Sequence, residues 1–384
     1  MSEPIASYLI VSLPEATDSE EWLKSNLNGG LSPVFKFKLD DFQIGTLDSL
    51  VQESEDLAKL DQQLGGSVSK IVDILSSVDP ASSKSGGSSN SANLVLGKPA
   101  CNYVERFSWN SSKYRLDRPI KQLVGVIANE AIALDNDVRT AYSSYQTAKS
   151  NYLAADRKKN GDLSIKSLHD IVKPEHFVLN SEHLSTVLIA VPKTLNSDFK
   201  SSYETLTEFV IPRSATVVAT DNEYTLYAVT LFTKYQQEFI NASREHKWHP
   251  RTDFTYSEEV LNEMRKEFDL TRATESKVRN DLLRLAKTAY SDIFSAWFHI
   301  KAIRIYVESV LRYGLPPSFE CSLIKFDKTT GKNIGKAKKD LIEKYGYFGG
   351  QAFDKKGDGS NLHEFASLVD TDYEPFVLYE VEII

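Results

Sequence analysis

The chain has 384 residues, of which 41% are apolar and 26% charged, with a formal net charge of −8. That length holds two or three domains with a core each, and the composition is that of a water-soluble globular protein. The acidic balance argues against a nucleic-acid surface, which would need clustered Lys and Arg. Two cysteines, Cys101 and Cys321, without metal-type spacing, indicate a reducing, cytosolic setting.

The N-terminal run SYLIVSL (7–13) has no preceding basic residues and is too short for a signal peptide, so it reads as a strand. No window approaches the ~20 apolar residues of a membrane span, so any membrane association is expected to be indirect. A helix is predicted over 47–77, followed by DPASSKSGGSSNSAN (79–93), a Ser/Gly-rich loop with almost nothing to bury. A long helix is predicted from Pro119, with Asp117 as its N-cap, to Gly161. Its apolar positions are Ile120, Val124, Ile127, Ala131, Leu134, Val138, Ala141, Tyr145, Ala148 and Tyr152. Steps of four and three make a heptad seam, the pattern of a helix lying lengthwise on another.

Residues 160–256 contain the strand-like STVLIAVP (185–192) and ATVVATDNEYTLYAVTLF (215–232), the latter broken into a hairpin at Asp221–Asn222. Short helices are predicted near 197–208 and 233–246. A second long helix is predicted from Ser257 to Gly314, ahead of Pro316 and Pro317, with Tyr256 and Leu261 as a hydrophobic staple. Its seam runs through Leu261, Met264 and Phe268, weakens at Thr271 and Glu275, and resumes at Val278, Leu282, Leu285 and Ala289. Beyond Ile293 the stripe widens to most faces, through Phe294, Trp297, Phe298, Ile300, Ile303, Ile305, Tyr306, Val307, Val310 and Leu311. A helix apolar on most faces lies inside a core. FECSLIKF (319–326) and FVLYEVEI (376–383) read as further strands.

Antiparallel pairing of the two long helices would bring the termini together at one end and residues 160–256 to the other. The expected fold class is therefore α+β, an elongated dumbbell of two α/β globular domains joined by a neck of two long antiparallel helices. The foot is assigned to 1–116 and 315–384, with the buried helix end at about 290–314. The neck is assigned to 117–159 and 257–289, and an inserted head to 160–256.

The segments that suggest chemistry fail on inspection. DKKGDGSNLHEF (354–365) resembles a calcium loop, but Lys356 occupies a ligand position and Glu364 falls one short of the bidentate place. GKNIGKAK (331–338) has three residues between its glycines, and Ala337 replaces the magnesium-binding Ser or Thr of a phosphate loop. His169, His176 and His183 are spaced by seven, but Pro174 prevents one continuous helix from aligning them. No catalytic, metal or cofactor residue is assigned. Trp248, Phe254 and Tyr256 bracket the point where the inserted segment rejoins the long helix. Hinge packing is the favoured role for them and partner contact the alternative. Phe376 is taken as a further contact candidate.

Three strings carry a family resemblance: GDLSIKSLHDIVKPEHFVLNSEHLSTVLIAVP (161–192), VESVLRYGLPP (307–317) and SLVDTDYEPFVLYEVEI (367–383). They resemble the C subunit of the vacuolar-type proton-translocating ATPase (V-ATPase), of the fungal kind, over essentially the whole chain apart from the Ser/Gly loop. The resemblance implies a non-catalytic component with foot, neck and head, cytoplasmic and, when assembled, peripheral on the cytosolic face of the vacuolar membrane or another endomembrane. It implies a head that grips one heterodimer of the E and G subunits. It also implies a foot that contacts a second heterodimer and the N-terminal domain of the a subunit in the membrane. Release when the enzyme disassembles is implied as well and, in some members, binding to filamentous actin. Nucleic acid and direct membrane insertion are not expected. Two other readings are a cytoskeletal (actin-linked) or membrane-curving helical scaffold, and an enzyme with a coiled-coil arm. The first calls for a basic concave face or an apolar wedge, and the second for nucleotide motifs; neither is found.

Overall fold

The structure is a computed structural model that describes residues 6–15, 19–26, 32–79, 94–168, 171–178, 181–252, 258–327, 334–347 and 376–383. The chain mixes α and β structure in two compact units, Met1–Tyr142 with Asp281–Ile384, and Ser143–Asn280. In chain order come β1 (Ala6–Pro14), α1 (Ser19–Asn26), β2 (Val34–Lys36), α2 (Leu47–Val78), β3 (Leu94–Val95), β4 (Lys98–Pro99) and α3 (Ala100–Glu105). Next are α4 (Ile120–Asn160), β5 (Leu184–Pro192), α5 (Asn196–Ser202), β6 (Thr216–Thr220), β7 (Tyr224–Phe232), α6 (Gln236–Glu245) and β8 (His249–Arg251). Last are α7 (Glu258–Tyr313), β9 (Phe319–Asp327), α8 (Ile334–Tyr345) and β10 (Val377–Ile383).

In the first unit the strand order is β10-β1-β9-β2, antiparallel throughout, so β1 near the N-terminus pairs directly with β10 near the C-terminus. The run of apolar residues in β1 follows from burial on both faces, since side chains alternate sides along a strand. Tyr8 and Ile10 join the main core with Leu57, Leu64, Ile71, Phe294, Phe298 and Ile303. Leu9, Val11 and Leu13 face a second core with Leu23, Ala337, Leu341 and Tyr345. The last turns of α7 supply much of the main core, as a helix apolar on most sides must. Leu311, expected in that stripe, is 36% exposed and leaves it. Gly314, at φ +87, stops the helix in a left-handed conformation that a Cβ would strain.

Asp117 is not the N-cap of α4. The helix begins at Ile120, so Pro119 precedes it and its carbonyl accepts the amides of Gln122 and Leu123 at 2.9 and 3.2 Å. Asp117 is drawn off by the guanidinium of Arg115, which donates to both carboxylate oxygens at 3.1 and 2.6 Å. Of the α4 positions in this unit, Ile120, Leu123, Ile127, Ala131 and Val138 enter the core beside Ala286 and Ala289 of α7. Along α7 no residue is buried between Phe268 and Leu282.

The second unit has an antiparallel sheet in the order β6-β7-β5-β8. Its two central strands are again covered on both faces. Val187, Ile189, Tyr227 and Val229 pack on Phe199, Phe239, Ile240 and Trp248. Leu188, Ala190, Leu226 and Ala228 pack on Leu163, Leu168 and Val172. The helix expected over 197–208 stops at Ser202 and tightens into a 3-10 turn at Tyr203–Thr205. There the Ser201, Ser202 and Thr205 hydroxyls donate to backbone carbonyls, local bonds that compete with a continuing helix. Asp221 organises the β6–β7 turn: its carboxylate accepts the amides of Glu223, Tyr224 and Leu163 at 2.8, 2.6 and 2.7 Å. Burial alone would raise its pKa, but the three amide donors and Lys193 together hold it below the usual carboxylate value. Also in this unit, Tyr152 of α4 meets Phe268 of α7 at 5.8 Å, and the Lys159 ammonium sits 4.0 Å over the Phe268 ring.

Candidate interaction surfaces

Trp248 is 2% exposed, edge-on to Phe199 at 4.9 Å and tilted against His246 at 5.1 Å. Its indole is core in the second unit, and it shapes the nearby surface from beneath. Phe376 is 1% exposed in the first unit, 6.5 Å from Tyr345 between β10 and α8. Phe254 and Tyr256 lie outside the described residues, as do His169 and the segment 354–365. Trp248 and Phe376 belong to the cores of different units. His176 accepts the Lys173 amide on its Nδ1 at 3.0 Å in an exposed turn. From Ile334 the glycine-lysine segment is helix α8, where Ala337 is buried and Lys338 pairs with Glu380 at 2.8 Å. Among the described residues no cluster of His, Cys, Asp or Glu could hold a metal, and no helix is long and apolar enough to cross a membrane.

Two surface features of the second unit escaped the sequence reading. One is an aromatic patch in which Phe209, 55% exposed and at φ +63, stacks on Tyr235 at 5.0 Å and meets Phe232 edge-on at 5.8 Å. The other is a groove of about 720 Å³ where α6 turns into β8, lined by Arg244, Lys247, His249 and Arg251 and, among the described residues, by no carboxylate. The composition of residues 244–251, REHKWHPR, was its visible signal.

Inside the first unit a buried charge cluster was missed as well. Asp61, on α2, accepts the Trp297 indole N–H at 2.7 Å, the Lys301 ammonium at 2.9 Å and Nη1 of Arg304 at 2.7 Å. Burial pulls the Lys301 pKa below its usual value, with Asp61 opposing the shift. Arg304 also holds Glu308 at 3.0 Å. Asp61 lies four residues after Leu57 and three before Leu64, on the apolar stripe of its helix, and that placement could have revealed it. Nearby, His299 is ringed by Phe107, Trp109 and Tyr114 at 5.2, 4.8 and 5.0 Å. Its Nε2 accepts the Asn110 amide, its Nδ1–H faces the Ser295 carbonyl, and burial lowers its pKa to about 4. Burial likewise pushes the Cys321 thiol up to about 12, so it is an inert core group.

What these residues define is a two-unit protein of covered cores with an exposed aromatic patch and a basic groove on its second unit. Comparison with known families agrees with that class: residues 8–377 match the model of the V-ATPase C subunit, and the chain belongs to that family. The chain is 49% identical over 390 residues to the V-type proton ATPase C subunit of Saccharomyces cerevisiae, covering 98% of this chain and 97% of that one. It is 37% identical to the C subunit of Caenorhabditis briggsae over 98% of this chain and 96% of that one. To the C 1 subunit of Xenopus laevis it is 35% identical over 98% of each. The higher identity to the yeast protein fits a fungal member. Membership makes the chain a non-catalytic accessory component of the ATPase. Among solved structures, the cytoplasmic N-terminal domain of the I subunit, a homolog of the a subunit of V-ATPase, aligns over 89% of this chain and 97% of that one. The TM-score is 0.33 at 12% identity, too slight a likeness to bear on the fold.

Proposed function

We propose that this chain is a stator link of the proton pump, bridging peripheral stalks on the cytosolic face of the vacuolar membrane. In this reading the unit containing 160–256 grips one heterodimer of the E and G subunits. The unit containing both chain termini contacts a second heterodimer and the cytoplasmic N-terminal domain of the a subunit in the membrane. The observation that carries it is the family match over residues 8–377. It is supported by the two separate cores, each with a sheet covered on both faces, so that each unit can present its own contact surface. The long helices α4 and α7 would serve as the neck, in an elongated body that holds two stalks apart against torque. Phe254 and Tyr256 are proposed to pack the hinge at the head's edge, with partner contact as their alternative role, while Trp248 and Phe376 support their surfaces from within.

Several modest contacts on one body reinforce one another through effective concentration. Weakening any one of them would then release the chain from the pump, which gives reversible assembly a physical basis. The test is affinity capture of the tagged full chain with mass spectrometry, followed by titration with purified E–G heterodimer and with the N-terminal domain of the a subunit. The expected result is recovery of all three partners and saturable binding to each. Capture without them from cells holding assembled pump would refute the bridging role.

A further inference from the structure

Helix α6 ends in a Schellman motif: the Trp248 amide reaches the Ser243 carbonyl and the Lys247 amide reaches the Arg244 carbonyl, each at 3.0 Å. The residue between helix cap and return is Lys247, at φ +60. Glycine is the usual residue there, because a Cβ is strained in the left-handed conformation. Nothing in the fold asks for the lysine. Its side chain is exposed, as is that of Arg244, and neither makes an ion pair with any described residue. A strained, unpaired cation at a helix end is a reason to look for a ligand.

The turn places that cation at the groove. His249 and Arg251 sit two apart on β8 and so project to one side of the strand. Arg251 is buried and donates to the Leu163 carbonyl at 2.8 Å, which ties the groove floor to the segment after α4. Ser164 and Ile165, the latter 55% exposed, also line the groove. The Asp162 carboxylate, two residues before Ser164, accepts the Ser164 amide and hydroxyl. We propose that this groove docks an acidic segment of a partner protein, its carboxylates on Arg244, Lys247 and His249 and an apolar side chain on Ile165. Arg244 and Lys247 come from the helix end and His249 from the following strand, and a groove of about 720 Å³ holds more than one small anion. An inorganic anion would also make no use of Ile165. A bounded groove of about 720 Å³ can admit a single extended segment, whereas an anionic bilayer presents its charge as a broad, flat surface. The groove would take such a segment whatever becomes of the bridging role, since its occupant is defined by charge and not by the assembly.

The experiment uses the full chain and a fluorescein-labelled peptide, Glu-Glu-Leu-Glu-Glu-Leu-Glu-Glu, read by fluorescence anisotropy. Binding is expected to saturate, to weaken as salt rises, and to vanish for the peptide with every Glu replaced by Gln. Lys247→Gly should weaken binding severalfold while thermal stability holds or rises, because the strain is relieved. Arg244→Glu with Lys247→Glu should weaken it on the order of tenfold or more. Ile165→Ser should weaken binding while leaving its salt dependence unchanged. Equal affinity for the wild type and the folded Lys247→Gly and charge-reversed variants would overturn the proposal. So would displacement of the peptide at matched anion concentration by tripolyphosphate, or by vesicles of phosphatidylserine and phosphatidylcholine in equal parts. Either result would reassign the groove to a free anion or a lipid surface.

Discussion

Replacing Asp61 by Ala tests how the core of the first unit tolerates charge. Asp61 is 6% exposed and Lys301 is 4% exposed, so the substitution strands an ammonium in apolar surroundings and takes the acceptor from the Trp297 indole. Removing one partner of a buried pair costs about 3–5 kcal/mol. Arg304 keeps Glu308 and is partly solvated, so most of the loss falls on Lys301. In a unit of this size each kcal/mol lowers the melting point by ~2–4 °C, which puts the expected drop at roughly 10 °C. The pH dependence carries a sign. With its counter-ion gone, Lys301 has a folded pKa still further below its usual 10.5, so between those values the unfolded chain binds the extra proton. Stability of the variant must therefore rise with pH across that window, and the deficit against wild type should narrow from pH 7 toward about 10. Thermal and urea unfolding of wild type, Asp61→Ala and the double variant Asp61→Leu, Lys301→Met would decide. The double variant should recover most of the loss, because apolar side chains of similar volume fill the site without desolvating a charge. A deficit below about 1 kcal/mol, flat with pH, would mean that water reaches Lys301 and that the cluster is solvated.

Three other substitutions probe the same unit. His299 has its pKa lowered from 6.5 to about 4 by burial, so its contribution is fully present above 6.5 and is lost as pH falls through about 4. Wild type should lose up to roughly 3 kcal/mol over that interval, and His299→Gln should lack that component of the acid slope in urea titrations. Gly65 and Gly66, adjacent in α2, should respond oppositely to alanine. A Cβ on Gly66 meets nothing within 4 Å, so Gly66→Ala should gain about 0.5–1 kcal/mol of helix propensity. A Cβ on Gly65 would come within 3.3 Å of the Trp297 ring, which its bond to Asp61 holds in place, so Gly65→Ala should gain nothing or lose stability. Equal gains at both positions in thermal melts would show that the indole is free to yield.

The sequence was most legible where burial is locally patterned. The continuous apolar runs of β1, β5 and β9 read as strands because both faces of their sheets are covered. The end of α7 read as core because no polar face interrupts it. The hairpin at Asp221 was legible from turn chemistry, but not the carboxylate's third bond to Leu163, 58 residues earlier. The Asp61 cluster joins residues 236 to 243 apart, and a charged residue on a long helix ordinarily belongs to its solvated face. Only its place within the Leu57–Leu64 stripe marked it. Trp248 read as a junction aromatic, and it is core because α6 folds it back over Phe199, a geometry set by the left-handed residue before it.

That left-handed residue shows why the candidate site was the least legible part. A sequence announces positive φ through glycine, and here Phe209, Arg213 and Lys247 adopt it without glycine. Such a position persists only when the surroundings over-determine it. At Lys247 the fully buried Trp248 on one side and the two return hydrogen bonds on the other supply that constraint. The core beneath thus fixes where the cation stands, and the cation adds nothing visible to the core. The same holds for Phe209, whose ring stacks on Tyr235 while staying more than half exposed. A protein whose work is contact can bear strain at such points, since what each presents outward is what the fold alone would not select. Replacing the strained residue by glycine separates the two demands at both places: if stability holds or rises while a partner is lost, the side chain is there for the partner.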